Sequence, residues 1–231
     1  MKSFKQHIIN IELDEGINDP AIFKAVFMAG GPGSGKSFMT GKTALSALGL
    51  RVINSDDIFE KAMKKAELEP TPKNIYSPKG QSIRAGAKSL TAKKQAILLQ
   101  GRIGLAVDGT GKDYAKIKRQ RRALTGLGYD TLMIFVNTDE KTAQERNLER
   151  SRKMPATVVS KMWLEVQNNI GKFQNLFGTN FVVVDNSAGI NVDSVTLSAY
   201  RKVSAWTKQP PENHLAKKWI QSQKELRGIK K

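Results

Sequence analysis

This 231-residue chain has no cysteine and only two histidines, His7 and His214, near its opposite ends. Without thiols there is no disulfide, thiolate metal site or cysteine nucleophile, and two distant histidines argue against a histidine-based zinc site. No apolar run approaches the ~20 residues of a membrane-spanning helix. The first ten residues are polar, unlike a signal peptide. A soluble, cytoplasmic protein with no membrane partner is therefore expected. Acidic residues are scarce as well: 21 Asp and Glu stand against 38 Lys and Arg, for a formal net charge of +17. Whatever chemistry the chain performs must rest on carboxylates, Lys, Arg and Mg²⁺.

The basic residues cluster. From Lys61 to Arg102 the acids are Glu67 and Glu69, from Lys112 to Arg122 the one acid is Asp113, and from Arg201 to Lys231 they are Glu212 and Glu225. Such a field draws in polyanions, either a nucleic acid or a phosphate-rich metabolite. Solvated helix faces and a basic tail would carry the same pattern, and aromatic residues that could stack on bases are sparse, 7% of the chain.

Against that background one motif stands out. Gly30-Gly31-Pro32-Gly33-Ser34-Gly35-Lys36-Ser37 satisfies G-x-x-x-x-G-K-[ST] in full. Before it, Ala25 to Ala29 reads as a short buried strand, and after it Ser37 to Leu48 carries apolar residues at helical spacing. Backbone N–H groups in a glycine-rich turn make an anion-binding concavity, and the following helix aims its positive end at the same point. Lys36 would reach the β and γ phosphates, and the Ser37 hydroxyl is the expected ligand of Mg²⁺. Together they indicate a nucleoside triphosphate.

Further strands are expected at 51–54, 103–108, 130–136 and 180–185, alternating with helices at 57–66, 82–100, 113–127, 138–150 and 156–177. Residues 70–81, with Pro70, Pro72 and Pro78, read as a long loop. Thr138 is expected to cap its helix, with Asp139 and Glu140 in the first turn. This alternation implies an α/β fold of the P-loop NTPase kind, a five-stranded parallel sheet flanked by helices over residues 1–190. A basic helical extension is expected over 191–231, with helices at 192–206 and 215–226.

Ligands of such folds sit at the carboxyl ends of the strands. That rule gathers the glycine loop, Asp56, Asp57, Asp108, Thr110 and the Asp185-Asn186 region along one edge. Phosphoryl transfer to an alcohol needs a carboxylate that orients or deprotonates the acceptor. Asp56 is the first choice and Asp57 the second, the other being free to cap the next helix. Asp108 is placed to hold Mg²⁺ or contact the acceptor, although Asp-Gly is also a common turn pair. Arg146, Arg150 and Arg152 could form a flap that stabilises charge on the transferring phosphoryl group, or a surface face paired with Glu145 and Glu149.

These residues resemble the P-loop kinases of the zeta-toxin and polynucleotide-kinase-like group. The likeness spans about Lys24 to Ser187. It rests on the glycine loop at 30–37, Ile-Asn-Ser-Asp-Asp at 53–57, Val-Asp-Gly-Thr at 107–110 and the Arg-containing segment from Glu145 to Pro155. It implies ATP and Mg²⁺, Asp56 as base on an acceptor hydroxyl, and lid arginines at Arg146, Arg150 or Arg152. A protein inhibitor is implied by resemblance alone. There are two departures: Phe59 stands where related kinases often place Arg, and Asp108 where zeta toxins tend to carry Glu.

The leading expectation is an ATP-dependent kinase acting on a hydroxyl of a small, anionic sugar-nucleotide or nucleotide-like acceptor. The alternatives are a 5′-hydroxyl kinase on nucleic acid and a nucleotide-switched nucleic-acid-binding ATPase that transfers nothing.

Overall fold

The computed structural model describes residues 17–19, 21–37, 41, 45–149 and 153–228. Five strands, β1 (Lys24–Ala29), β2 (Arg51–Ile53), β3 (Leu105–Asp108), β4 (Asp130–Asn137) and β5 (Phe181–Asp185), form one sheet in the order β2-β3-β1-β4-β5. Every pairing is parallel. All six residues of β1 are buried, as a near-continuous apolar run requires of a strand covered on both faces. The expected parallel α/β sheet is present.

Nine helices follow the strands among the described residues: α1 (Ser55–Lys65), α2 (Pro72–Tyr76), α3 (Pro78–Gln100), α4 (Tyr114–Gly126), α5 (Glu140–Glu149), α6 (Ala156–Gln167), α7 (Ile170–Phe177), α8 (Val192–Lys208) and α9 (His214–Leu226). Because side chains alternate along a strand, Phe27 and Phe135 join one core with Ile117 of α4, Phe173 and Phe177 of α7 and Ala216 of α9. Val26, Met28 and Ile134 join the other, with Ala199, Val203 and Trp206 of α8. A third, separate core of Phe59, Met63, Ile75 and Ala87 holds α1, α2 and α3 together.

The structure departs from the sequence reading in the stretch 70–81, which is mostly helical. Thr71 caps α2 by accepting from the Asn74 N–H, and Ser77 caps α3 by accepting from the Gly80 N–H. Pro72 and Pro78 each occupy the first turn, where a missing N–H is harmless, so these prolines start helices rather than interrupt them. The expected helix over 156–177 is broken at Asn168 and Asn169. There the buried Asn169 amide donates to the carbonyls of Gly111 (3.0 Å) and Lys112 (2.9 Å).

The last two helices are tied to the sheet from below. The Asp130 carboxylate accepts from Lys24 Nζ (2.9 Å) and from the N–H groups of Glu212 (2.8 Å) and Asn213 (3.0 Å). Lys24, 1% exposed, also lies 4.8 Å from the Trp206 ring centroid. No helix among the described residues is long and apolar enough to cross a membrane.

Candidate active site

The strand order makes the site. β1 leads to β2, two places away on one side, while β3 leads across β1 to β4 on the other, so a crevice opens at the carboxyl ends of β1 and β3. The glycine loop fills it. The Gly30 N–H donates to the Thr110 carbonyl (3.1 Å) and the Gly109 N–H to the Met28 carbonyl (3.0 Å), joining the two strand ends. Gly33 and Gly35 have φ of +74° and +78°, and a Cβ on Gly33 would stand 2.5 Å from the Ala143 carbonyl oxygen, while one on Gly35 would collide with the Asn186 amide. Only glycine fits there. Lys36 and Ser37 then enter helical geometry, while 38–40 and 42–44 of the expected helix lie outside the described residues.

Asn186 and Arg146 brace the loop from the far side. The buried Asn186 amide donates to the Ser34 carbonyl at 2.7 Å. Arg146, on α5, donates to the Gly33 carbonyl at 3.2 Å and faces the Asn186 side-chain oxygen at 3.5 Å. This places one of the three expected lid cations beside the loop. Arg150 and Arg152 lie outside the described residues. Their flanks are anchored: Asn147 donates to the Met154 carbonyl (2.8 Å) and accepts from its N–H (3.0 Å), and Gln144 bonds the Ala156 carbonyl and the Ser160 hydroxyl.

On the near side Lys36 Nζ meets Asp108 Oδ1 at 2.5 Å, both side chains largely buried. The other Asp108 oxygen accepts from Asn54 Nδ2 at 3.0 Å. Asn54 was not singled out from the sequence, yet it is the junction of the site. Its second amide hydrogen reaches Asp57 Oδ1 (3.2 Å), and its oxygen caps α1 by accepting from the Asp56 N–H (2.8 Å). Asn54 therefore does the capping that one of the two aspartates was expected to do. Asp56 and Asp57 both sit exposed in the first turn, and the Asp56 carboxylate has no partner among the described residues. Phe59, one turn further, is 3% exposed with the Arg84 guanidinium 4.8 Å from its ring centroid. The cation on that face of α1 thus comes from α3.

Thr138 is not the cap of α5. Its hydroxyl donates to the Asn186 carbonyl, and Asp139 caps instead, accepting from the Thr142 N–H (2.8 Å) and hydroxyl (2.6 Å). Those bonds, the hydroxyl's first, hold the Asp139 carboxyl down at about 2. Asp185 turns away to Ser187, so of that pair only Asn186 touches the loop.

Beside Asp108 a cavity of about 180 Å³ opens between the ends of β1 and β3 and the first turns of α4. Among the described residues no three acidic or histidine side chains cluster to hold a metal. The donors near the loop are the Ser37 hydroxyl and the Asp108 carboxylate, a set that suits Mg²⁺, which keeps most of its waters and shares substrate phosphates.

A glycine loop at the carboxyl end of a central parallel strand, with an invading lysine and flanking carboxylates, defines a P-loop kinase, a phosphotransferase. The zeta toxin family model matches residues 18–194, and the chain belongs to that family. Similar solved structures include the AvrRxo1-ORF1:AvrRxo1-ORF2 complex with sulphate ions (TM-score 0.55, 13% identity, covering 78% of this chain and 62% of that one). The same complex with ATP gives a TM-score of 0.54 at 13% identity, over 78% and 63%. A chain of the Pnkp1/Rnl/Hen1 RNA repair complex gives 0.51 at 17%, over 65% of this chain and 46% of that one. At such identities these likenesses show the fold. No curated protein matches the sequence.

Proposed function

We propose that the protein transfers the γ-phosphoryl group of ATP to a hydroxyl of an anionic, nucleotide-like acceptor. The observation that carries this reading is the contact of Lys36 with Asp108, itself joined through Asn54 to the helix bearing Asp56. Phosphate donor and acceptor groups are thereby held in one connected set of side chains. The AvrRxo1 complex solved with ATP supports ATP as the donor.

In this reading the loop N–H groups and Lys36 cradle the triphosphate, Lys36 exchanging Asp108 for phosphate oxygens. Ser37 and Asp108 would hold Mg²⁺, which would neutralise charge between the β and γ phosphates. Asp56 takes the proton of the acceptor hydroxyl as that oxygen bonds to the γ phosphorus. The bond from phosphorus to the β–γ bridging oxygen breaks, ADP leaves with the electron pair, and Asp56 passes its proton to water. Arg146 stabilises the charge on the transferring group, with Arg150 and Arg152 as the further lid candidates.

The test is transfer from γ-labelled ATP with Mg²⁺ to a panel of UDP-N-acetylglucosamine, nucleosides and 5′-hydroxyl oligonucleotides. A labelled acceptor is expected. Label found only in free phosphate, with every panel member, would instead favour a nucleotide-switched ATPase.

A further inference from the structure

The cavity beside Asp108 has a divided character. Phe27, Val107 and Ile117, all buried, belong to the apolar core and form its inner wall, whereas the exposed Lys112 and Lys116 stand at its mouth. Neither lysine takes part in an ion pair among the described residues. The acids nearby are already engaged: Asp108 is held by Lys36 and Asn54, and Asp113 accepts from the Lys116 N–H at 2.8 Å to cap α4. The mouth is also fixed in place, since the buried Asn169 amide grips the carbonyls of Gly111 and Lys112 and its own oxygen accepts from Lys172 Nζ (3.3 Å). An ordinary solvated lysine face needs no such buried brace.

Volume limits what can enter. About 180 Å³ equals roughly six waters at ~30 Å³ each, room for one sugar or base ring and not for a whole nucleotide. Anything more that the acceptor carries must remain at the mouth, between two cations.

We infer that this cavity seats the ring of the acceptor with its hydroxyl toward Asp108, and that Lys112 and Lys116 bind a phosphate ester the acceptor already carries. The inference rests on the kinase reading above and names the group by which that site selects its substrate. A phosphate ester can belong to a small metabolite or to a nucleic-acid strand. The rest of α4 separates these sources, because Lys118, Arg119 and Arg122 continue the row of exposed cations beyond the mouth. A strand would follow them, whereas a small molecule would not reach them.

The experiment compares matched pairs, UDP-N-acetylglucosamine with N-acetylglucosamine and a nucleoside 3′-monophosphate with its nucleoside. Binding is measured by calorimetry on the full chain saturated with a non-hydrolysable ATP analogue, and transfer is measured with ATP. The phosphorylated member of at least one pair should bind more tightly, and Lys112→Gln/Lys116→Gln should weaken it roughly 10- to 100-fold, the loss expected for charge-assisted contacts. The unphosphorylated member should be unaffected, and the loss in transfer should appear in KM rather than kcat. Equal binding of both members, binding of neither, or discrimination that survives in the double variant overturns the inference. If discrimination follows the lysines but no label is transferred, the binding site stands and the kinase reading falls. If label is transferred and the double variant is indifferent, the inference falls alone. Lys118→Gln/Arg119→Gln/Arg122→Gln then identifies the source: weaker binding of a 5′-hydroxyl oligonucleotide indicates a strand, and unchanged binding a small metabolite.

Discussion

Asn54 serves three groups with one amide, capping α1 with its oxygen and steadying Asp57 and Asp108 with its two hydrogens. Two substitutions separate the cap from the positioning role. Asn54→Ala removes both and should lower stability by about 1 kcal/mol, the usual value of a lost cap. Asn54→Asp keeps a good cap but replaces the amide hydrogens with an anionic oxygen facing two carboxylates. Both variants should lose turnover, yet only the alanine should melt earlier; full turnover in Asn54→Asp would mean that the amide does not position Asp108. The glycine loop was legible in the sequence because its residue types and spacing are themselves the phosphate cradle. Asn54, Asn147, Asn169 and Asn186 were not legible as site residues. A neutral amide acquires meaning only from partners that folding brings to it, and the Ser34 carbonyl bound by Asn186 lies 152 positions away in the chain.

The lid helix α5 is held at its start by an ionised cap. The Asp139 carboxyl is depressed from 3.8 to about 2 by the Thr142 hydroxyl and N–H, and its shift has a definite sign. A carboxylate with a lowered folded-state pKa stabilises the fold above its ordinary value, and that contribution is lost as pH falls through 3.8 toward about 2. Asp139→Asn should therefore flatten the acid limb of the unfolding midpoint against pH across this window, while an unchanged limb would assign the acid sensitivity elsewhere. Strands were legible as elements because a buried parallel strand announces itself as a short apolar run, as Met133 to Val136 does. Helix boundaries were harder to read. Pro72 and Pro78 read equally as breakers and as first-turn residues, and the Thr71 and Ser77 caps decide between them. Thr138 and Asp139 are both good caps, and burial of Thr138 against Asn186 leaves the cap to its neighbour.

Over the whole molecule, the order β2-β3-β1-β4-β5 brings the loop, Asp108 and Asn54 to one edge although they are far apart in sequence. Alternation of strands and helices predicted a parallel sheet, but nothing local to a strand records which neighbours it takes. The chain after Ser187 looked like an appendage because its charge is conspicuous and its apolar residues are spaced out. In the structure Val203 and Trp206 complete one core, and Ala216 joins the other. Asp130 clamps that connection. Replacing it with alanine would leave Lys24 buried without its counter-ion, at a loss of about 3–5 kcal/mol. Asp130→Ala should show this as an earlier cooperative chemical unfolding transition; a midpoint equal to the parent's would mean that the clamp contributes nothing.

The central claim is that an acceptor hydroxyl, activated by a carboxylate at the start of α1, receives the phosphoryl group held over the glycine loop. Its most direct test is the stoichiometry of ADP and phosphorylated acceptor formed by the parent, Asp56→Asn and Asp57→Asn. The account predicts one phosphorylated acceptor per ADP in the parent, loss of acceptor labelling by ~100-fold or more in Asp56→Asn, and a smaller loss in Asp57→Asn. Undiminished acceptor labelling in Asp56→Asn would contradict it.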